Sequence, residues 1–322
     1  MLSFKPIEVK DRDIITSFTI PSEYKNCDFS FANMCSWRFF YDSEYAIVDG
    51  FLVIRFWIED KGRIAYMFPV GNGNLSKVID LMEADSYANG HPLCILGVTP
   101  DSKQTLEKYL PGDFIYIPER DYFDYIYLRE DLAFLKGKKF QSKRNHINKF
   151  KNRYPYEYIP LTEEIIPQCL ELESKWYHAN RTKEDVEDLQ HENRSLVFAL
   201  QHFKELGILG GAIAIEGQIA AFTFGSPINH NTFGVHVEKA DINYDGVFSL
   251  INQEFASRIP EQYIYVNREE DLGLPGLRQA KLSYNPAILL EKSAVVKRRD
   301  NELKETADEK ATDHQPMAKC VQ

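Results

Sequence analysis

The stretch LGGAIAIEGQIAAFTFGSPINHNTFGVHVEKADINYDG, residues 209–246, decides how the second half of this chain is read. Two apolar runs, Leu209 to Ile215 and Ile219 to Ser226, flank Glu216-Gly217, which is the spacing of a β-hairpin. Thr232 to Glu238 adds a third strand. Gly246 to Arg258 follows with Val247, Leu250, Ile251 and Phe255 on one side of a helix. Strict alternation along the third strand puts His236 and Glu238 on one face, opposite Val235 and Val237. Asp245 is expected to cap the helix ahead of Gly246, leaving backbone N–H groups open to an anion or a carbonyl oxygen. A histidine and a carboxylate beside such a terminus can pair a proton acceptor with an oxyanion or phosphate site. The plainer reading is a polar strand face with an ordinary capped helix.

Downstream, Tyr263 to Asn267 reads as a strand, Pro275 to Tyr284 as a short helix with proline at its start, and Ile288 to Val296 as a last strand. Between the first two runs Asn267-Arg-Glu269-Glu270-Asp271. If the strand persists, Asn267, Glu269 and Asp271 share a face, while the helix displays Arg278 and Lys281 three residues apart. Such a segment offers carboxylates to an amine and cations to a phosphate or carboxylate; the alternative is a salt-bridge cluster tying strand to helix. Upstream, Glu163 to Trp176 and Ser195 to Leu206 read as helices. The first half repeats the plan, with Tyr45 to Val48 and Phe51 to Ile58 around Asp49-Gly50 and a strand at Ala65 to Val70. A helix at Leu75 to Tyr87, a strand at Leu93 to Val98 and a helix at Ser102 to Leu110 follow. Strands at Phe114 to Ile117 and Tyr122 to Tyr127 close the half.

Between the halves lies KGKKFQSKRNHINKFKNR, Lys136 to Arg153, with eight Lys/Arg and no acid. The chain as a whole has 38 basic and 48 acidic residues, a net charge of -10, so this segment is a local exception. Phe140, Ile147, Phe150 and Tyr154 fall on one stripe of a helix, which predicts an ordered connector that buries one face. Its other side is either simply solvated or turned toward an anion, with Lys143, Arg144, Asn145, His146 and Lys149 as the phosphate-facing set. The division that follows is 1–135, a connecting helix at 136–154, 155–297, and a disordered tail at 298–322 that has lost all periodicity.

Composition narrows the function. Overall acidity argues against a nucleic-acid-coating protein, and 44% hydrophobic residues in 322 are enough for two cores. The five cysteines never form a CxxC pair, which suits free thiols and no metal site. The charged N-terminus and the lack of a long apolar run predict a cytoplasmic protein. No GxSxG, HExxH, Walker or GxGxxG motif is present.

The blocks KGKKFQSKRNHINKF (136–150), HVEKAD (236–241) and NREEDLGLPGLRQAKLSYNP (267–286) resemble soluble members of the phosphatidylglycerol lysyltransferase C-terminal-domain family. That family is related to Fem-type aminoacyltransferases. The resemblance covers about residues 1 to 297. It implies a mixed α/β chain of two tandem GNAT-like domains (the acyl-CoA N-acyltransferase fold) joined by the basic helix. It also implies an enzyme that moves an aminoacyl or acyl group to an amine or hydroxyl, with aminoacyl-tRNA or acyl-CoA as donor. Carried onto this sequence, Arg278 and Lys281 match cations near the donor, and Glu269 or Asp271 acids that hold an amino group. His236, Glu238 or Glu269 would accept the proton, while Lys281 or the N–H groups at Gly246 would face the oxyanion. Asn267 and Tyr284 fall in the same block and join the substrate-binding set. Two features depart from the pattern. The coenzyme A loop is reduced to Tyr244-Asp-Gly246-Val-Phe248, and the lysyltransferase membrane domain has no counterpart in this sequence. An acyl-CoA-dependent N-acyltransferase and a non-catalytic ligand-binding protein are the competing readings.

Overall fold

In the computed structural model the described residues are 2–58, 61–180 and 186–298. The first part of the chain supplies β1 (Lys5–Pro6), α1 (Arg12–Thr19), α2 (Phe31–Ser36), α3 (Arg38–Tyr41), β2 (Glu44–Val48), β3 (Phe51–Ile58), β4 (Arg63–Met67) and β5 (Val70–Gly71). Next come α4 (Leu75–Ala88), β6 (Cys94–Val98), α5 (Pro100–Tyr109), β7 (Phe114–Pro118), β8 (Asp124–Leu128), α6 (Arg129–Phe134) and α7 (Gln141–Arg153). The second part supplies β9 (Glu157–Pro160), α8 (Ile166–Asn180), α9 (Val186–Gln201), β10 (Leu209–Ile215), β11 (Gln218–Pro227), β12 (Thr232–Ala240) and α10 (Val247–Ala256). It ends with β13 (Tyr265–Asn267), α11 (Pro275–Leu282), β14 (Ile288–Leu290) and β15 (Ser293–Lys297).

Both hairpins form where the dipeptides require them. Asp49 and Gly50 take φ of 50° and 80°, and Glu216 and Gly217 take 50° and 79°. Two consecutive left-handed residues match the twist of the flanking strands, so β2 pairs with β3 in register from the turn, and β10 with β11 up to a shift between Ala214 and Ile213. In each half one parallel pair is joined by a helix: β4 and β6 through α4, β12 and β13 through α10. The duplication expected from the sequence is therefore a duplicated strand–helix–strand crossover.

The sheets do not follow the division of the chain. One runs β1-β2-β3-β4-β6-β15-β7, with β5 beside β3, and the other runs β14-β8-β13-β12-β11-β10-β9. Strand β8, within 1–135, lies in the second sheet between β13 and β14. Strand β15, within 155–297, lies in the first between β6 and β7. Each half gives the other its inserted strand. The last strand expected at Ile288 to Val296 is in fact two, β14 and β15, one in each sheet. Alternation along a run shows that strands exist but carries nothing about which sheet receives them.

Among the described residues three large apolar cores hold the layers, beside a small cluster of Ile58, Ala65 and Cys94. One fills the space between the halves and joins Ile15, Phe31, Leu52 and Ile54 to Cys169, Leu200, Phe222 and Phe224. The second lies on the far face of the second sheet under α6, α7 and α10, and the third on the far face of the first sheet under α4. Helix α7 buries Phe140, Ile147 and Phe150 in the second core beside Val247, Leu250 and Ile251 of α10. The stripe read from the sequence is thus its packed face. Of the tail expected at 298–322, residues from 299 on lie outside the described residues.

Candidate active site

Parallel strands β12 and β13 pair only from Thr232 to Gly234 with Tyr265 to Asn267. Beyond that β12 continues, while the chain after Asn267 turns away through Glu269 and Leu272, both left-handed at φ 60° and 52°. A gap opens where backbone pairing stops. His236 sits at its edge on a β-bulge: Gly225 of β11 faces Val235 and the next residue, Phe224, faces Val237, so His236 is the extra residue. The bulge breaks the alternation assumed from the sequence. Val235 packs in the core under α10 and Val237 against the core under α2 and α8. His236 and Glu238 therefore point to opposite faces of the sheet, not to the same one.

On the α2 face, Nδ1 of His236 is 2.8 Å from Oε1 of Glu269, and the Asn33 side-chain amide donates to the same oxygen at 2.7 Å. On the other side of the ring, Nε2 meets the hydroxyls of Ser226 at 2.7 Å and Ser30 at 3.1 Å. The His236 side chain is 5% exposed and that of Glu269 22%, so the carboxylate is the end of the chain that reaches solvent. Ser30 is also the N-cap of α2, accepting from the backbone N–H of Asn33, which fixes both residues at one helix end.

On the α10 face, Oε1 of Glu238 pairs with Nη2 of Arg268 at 3.2 Å, and Asn252 donates to its Oε2 at 3.3 Å. Nη1 of Arg268 and Oδ1 of Asn252 are buried with no hydrogen-bond partner. Buried polar atoms in native proteins are nearly always satisfied, so this donor and acceptor are suited to an incoming group. Arg268 also lies over the Tyr284 ring at 5.0 Å, and the ammonium of Lys143 over the same ring at 3.9 Å. Burial, with Arg268 adding to it, lowers the pKa of Lys143. Two cations, one carboxylate and an aromatic ring thus face each other across the inner end of α7.

The structure distributes the sequence-predicted residues unevenly. His236 and Glu269 meet on one face of the gap, while Glu238, Lys143 and Tyr284 gather with Arg268 on the other. Asn267 supports it: its amide donates to Asp124 and the Lys25 carbonyl, and its oxygen accepts from the Glu269 N–H. Asp271 and Arg278 realise the salt-bridge alternative. Asp271 is fully buried and takes both Arg278 and Arg120, with the Tyr125 hydroxyl at 2.5 Å. Burial pushes its carboxyl up, but these donors outweigh burial and hold it well below the usual carboxylate range. Strand β13 ends at Asn267, so Asn267, Glu269 and Asp271 do not share a strand face. The Lys281 ammonium donates to the backbone carbonyls of Arg268 and Glu270, and burial lowers its pKa. It braces the loop.

The rest of the basic segment is turned away. Arg144 ties the carbonyls of Leu135 and Gly137, Asn145 bonds Gln141, and exposed Lys149 pairs with Asp245 at 2.6 Å. Gly246 itself, at φ +94°, is the N-cap of α10, without a side-chain cap. A Cβ there would lie 2.7 Å from the carbonyl oxygen of His146, so α7 sits on the helix terminus that the sequence left open. Sequence reasoning missed Arg268, Asn252, Ser30, Asn33 and Ser226. Arg268 was legible inside the 267–286 block, whereas the α2 residues carry no local signal.

Behind the loop lies a second polar cluster. Cys27, Asp124 and Glu270 bring ligand-type atoms within 4.8 Å of one another. The Lys292 ammonium stands among them, 2.9 Å from Asp124, 3.1 Å from Asp28 and in contact with Glu270. It already supplies the positive charge these carboxylates share. Burial, with Asp124 and Asp28 adding to it, raises Glu270 to about 7.

The chain matches the model of a protein family described as phosphatidylglycerol lysyltransferase, C-terminal, over residues 21–296. No curated protein matches it. It is 54% identical to a conserved protein of unknown function from Bacteroides thetaiotaomicron, covering 92% of this chain and 100% of that one at a TM-score of 0.89. The C-terminal domain of a putative lysylphosphatidylglycerol synthetase from Agrobacterium fabrum shares the fold at a TM-score of 0.61 and 11% identity, with 92% of each chain covered. L-PGS from Bacillus licheniformis does so at 0.59 and 13% identity, over 83% of this chain and 88% of that one. The mixed α/β fold expected from the resemblance, with a strand–helix–strand crossover in each half, is the fold observed. Among the described residues no helix is long and apolar enough to cross a membrane.

Proposed function

The chain belongs to the phosphatidylglycerol lysyltransferase C-terminal family, and from that premise we propose that it transfers an aminoacyl group from an activated ester to an amine or hydroxyl at the gap between β12 and β13. Family and fold point to GNAT-like acyl or aminoacyl transfer in general; the aminoacyl donor, with aminoacyl-tRNA as its form, is the finer reading. The observation that carries it is the pair of side-chain contacts across the gap, His236 to Glu269 on one face and Arg268 to Glu238 on the other, with one Arg268 nitrogen left without a partner among the described residues.

In this reading the acceptor attacks the ester carbonyl and gives its proton to Glu269, the exposed end of the hydrogen-bonded chain. His236, held by two serine hydroxyls, acts as a positioning residue that fixes the carboxylate and answers its change in charge. The carbonyl oxygen becomes the oxyanion, which Nη1 of Arg268 meets as a preorganised donor. Collapse of the intermediate breaks the ester bond and returns a proton to the departing hydroxyl. An aminoacyl ester is already activated, so orientation between the two faces supplies much of the rate. Lys143 extends the cationic side toward a phosphate-bearing donor. An acyl-CoA donor is less well served, because α7 covers the α10 terminus that would take its phosphates.

The test is transfer of radiolabel from a mixture of aminoacyl-tRNAs to phosphatidylglycerol vesicles or to a lysine-containing peptide. Transfer that falls 100-fold or more, by order of magnitude, in Glu269→Gln and Arg268→Gln supports the assignment. Release of free coenzyme A from acetyl-CoA, with no transfer from tRNA, would move the protein to the acyl-CoA reading. Binding of a cationic ligand with neither reaction would make it a non-catalytic member.

A further inference from the structure

Away from the gap, α3 and α9 enclose a groove of about 410 Å³ lined by Arg38, Phe39, Asn193, Arg194, Phe198 and Gln201, among others. Its chemistry is one-sided. The Arg38 guanidinium lies 4.1 Å from the centre of the Phe198 ring, and that of Arg194 lies 3.9 Å from the centre of Phe39. Each helix thus gives one arginine to a ring of the other. Among the described residues no carboxylate lines the groove. The nearest acid in the α9 sequence, Glu192, is engaged with Lys239 at 2.8 Å. Arg38 donates to the carbonyl of Cys35 at 2.6 Å, whereas Arg194 makes no hydrogen bond or ion pair among the described residues.

A guanidinium stacked on an aromatic ring is held in orientation while its edge keeps several N–H donors, which suits a planar or tetrahedral anion. Two such groups on opposite walls, with the amides of Asn193 and Gln201 beside them, form a recess that is cationic at its edge and aromatic in its body. Its volume falls within the range of small-molecule sites. We propose that this groove binds an organic phosphate, a single anionic group carried on an aryl or acyl body. The phosphate lies against the edges of Arg38 and Arg194 and the body against Phe39 and Phe198. The site is separate from the β12–β13 gap, and its existence does not depend on the reaction proposed there.

Isothermal titration with phenyl phosphate and with inorganic phosphate tests the proposal, alongside sedimentation with vesicles of phosphatidylcholine with and without phosphatidic acid. Arg194 is exposed, so Arg194→Gln should leave the melting temperature unchanged. Phenyl phosphate should bind saturably, at least about tenfold more tightly than inorganic phosphate, and lose at least about tenfold in Arg194→Gln but not in Lys149→Gln. Binding of phosphatidate vesicles that is lost in the same variant, without phenyl phosphate binding, identifies a lipid phosphate as the source. If neither probe binds, or binding is the same in Arg194→Gln, the proposal is overturned.

Discussion

Replacing Lys292 by methionine removes the one ammonium from a cluster of three carboxylates. The Lys292 side chain is 4% exposed and that of Asp124 is fully buried, while Glu270 keeps 13% exposure and Asp28 36%. Methionine fills much the same volume, so the change is one of charge. Breaking a buried ion pair by deleting one partner typically costs about 3–5 kcal/mol, because the other charge is left in a poor solvent. Against a whole-protein stability of roughly 5–15 kcal/mol this is a third or more. The loss should depend on pH in a definite direction. Without the ammonium, which holds the Glu270 pKa down against burial, the native-state pKa of Glu270 rises further, so the folded protein prefers it protonated. The penalty is then absent below its unfolded value and grows as pH rises toward the folded one. Urea denaturation followed by tryptophan fluorescence should show Lys292→Met about 3–5 kcal/mol less stable than wild type at pH 7.5 and much closer to it at pH 5. Lys297→Met, at the partly exposed pair with Glu83, should lose no more than about 1 kcal/mol at either pH. A loss below about 1 kcal/mol at pH 7.5, or an equal loss at both pH values, would refute the view that this lysine neutralises the junction.

Wild type itself should lose stability as pH rises from 5 to 8, because Glu270 is raised to about 7 by burial and binds its proton more tightly when folded. The contribution is on the order of 1–3 kcal/mol, and Glu270→Gln should flatten that part of a stability-against-pH curve. Gly246→Ala should destabilise by at least about 1–2 kcal/mol, read by thermal denaturation, since φ is +94° and the new methyl meets the His146 carbonyl. In aminoacyl-tRNA binding, Lys143→Ala should lower affinity and reduce the salt slope by about one unit. Lys149→Ala should change little, because Lys149 is paired with Asp245.

Local chemistry made much of this molecule legible. The two Asp-Gly and Glu-Gly turns, the proline start of α11 and the apolar stripe of α7 are each decided by a few adjacent residues, and each appears where the sequence put it. His236 and Glu238 drew notice as polar residues on a core strand, and Glu269 as one of three acids that follow another. Their arrangement was not found, since one bulge reverses which face His236 shares with Glu238, and alternation cannot register an extra residue. Ser30 and Asn33 were invisible for a different reason. They reach Glu269 and His236 from more than half the chain away, and an ordinary Ser N-cap gives no hint of that. For Asp271 and Arg278 the sequence left a ligand site and a salt bridge both open, because it gives charge but not what faces it; the structure pairs the buried carboxylate with the partly exposed guanidinium.

The reciprocal placement of β8 and β15 also bears on how the chain emerges from a ribosome. Strand β7 has β15 as its sheet neighbour, and β6 waits for the same strand on one edge. At about 5–20 residues per second, those edges stay unpaired for on the order of ten seconds or more after they are made. Strand β8 likewise waits for β13 and β14. The nascent protein therefore carries open β-edges in its first half until its last described strand is translated. That makes it a natural client for holding chaperones and a poor candidate for expression as separate halves.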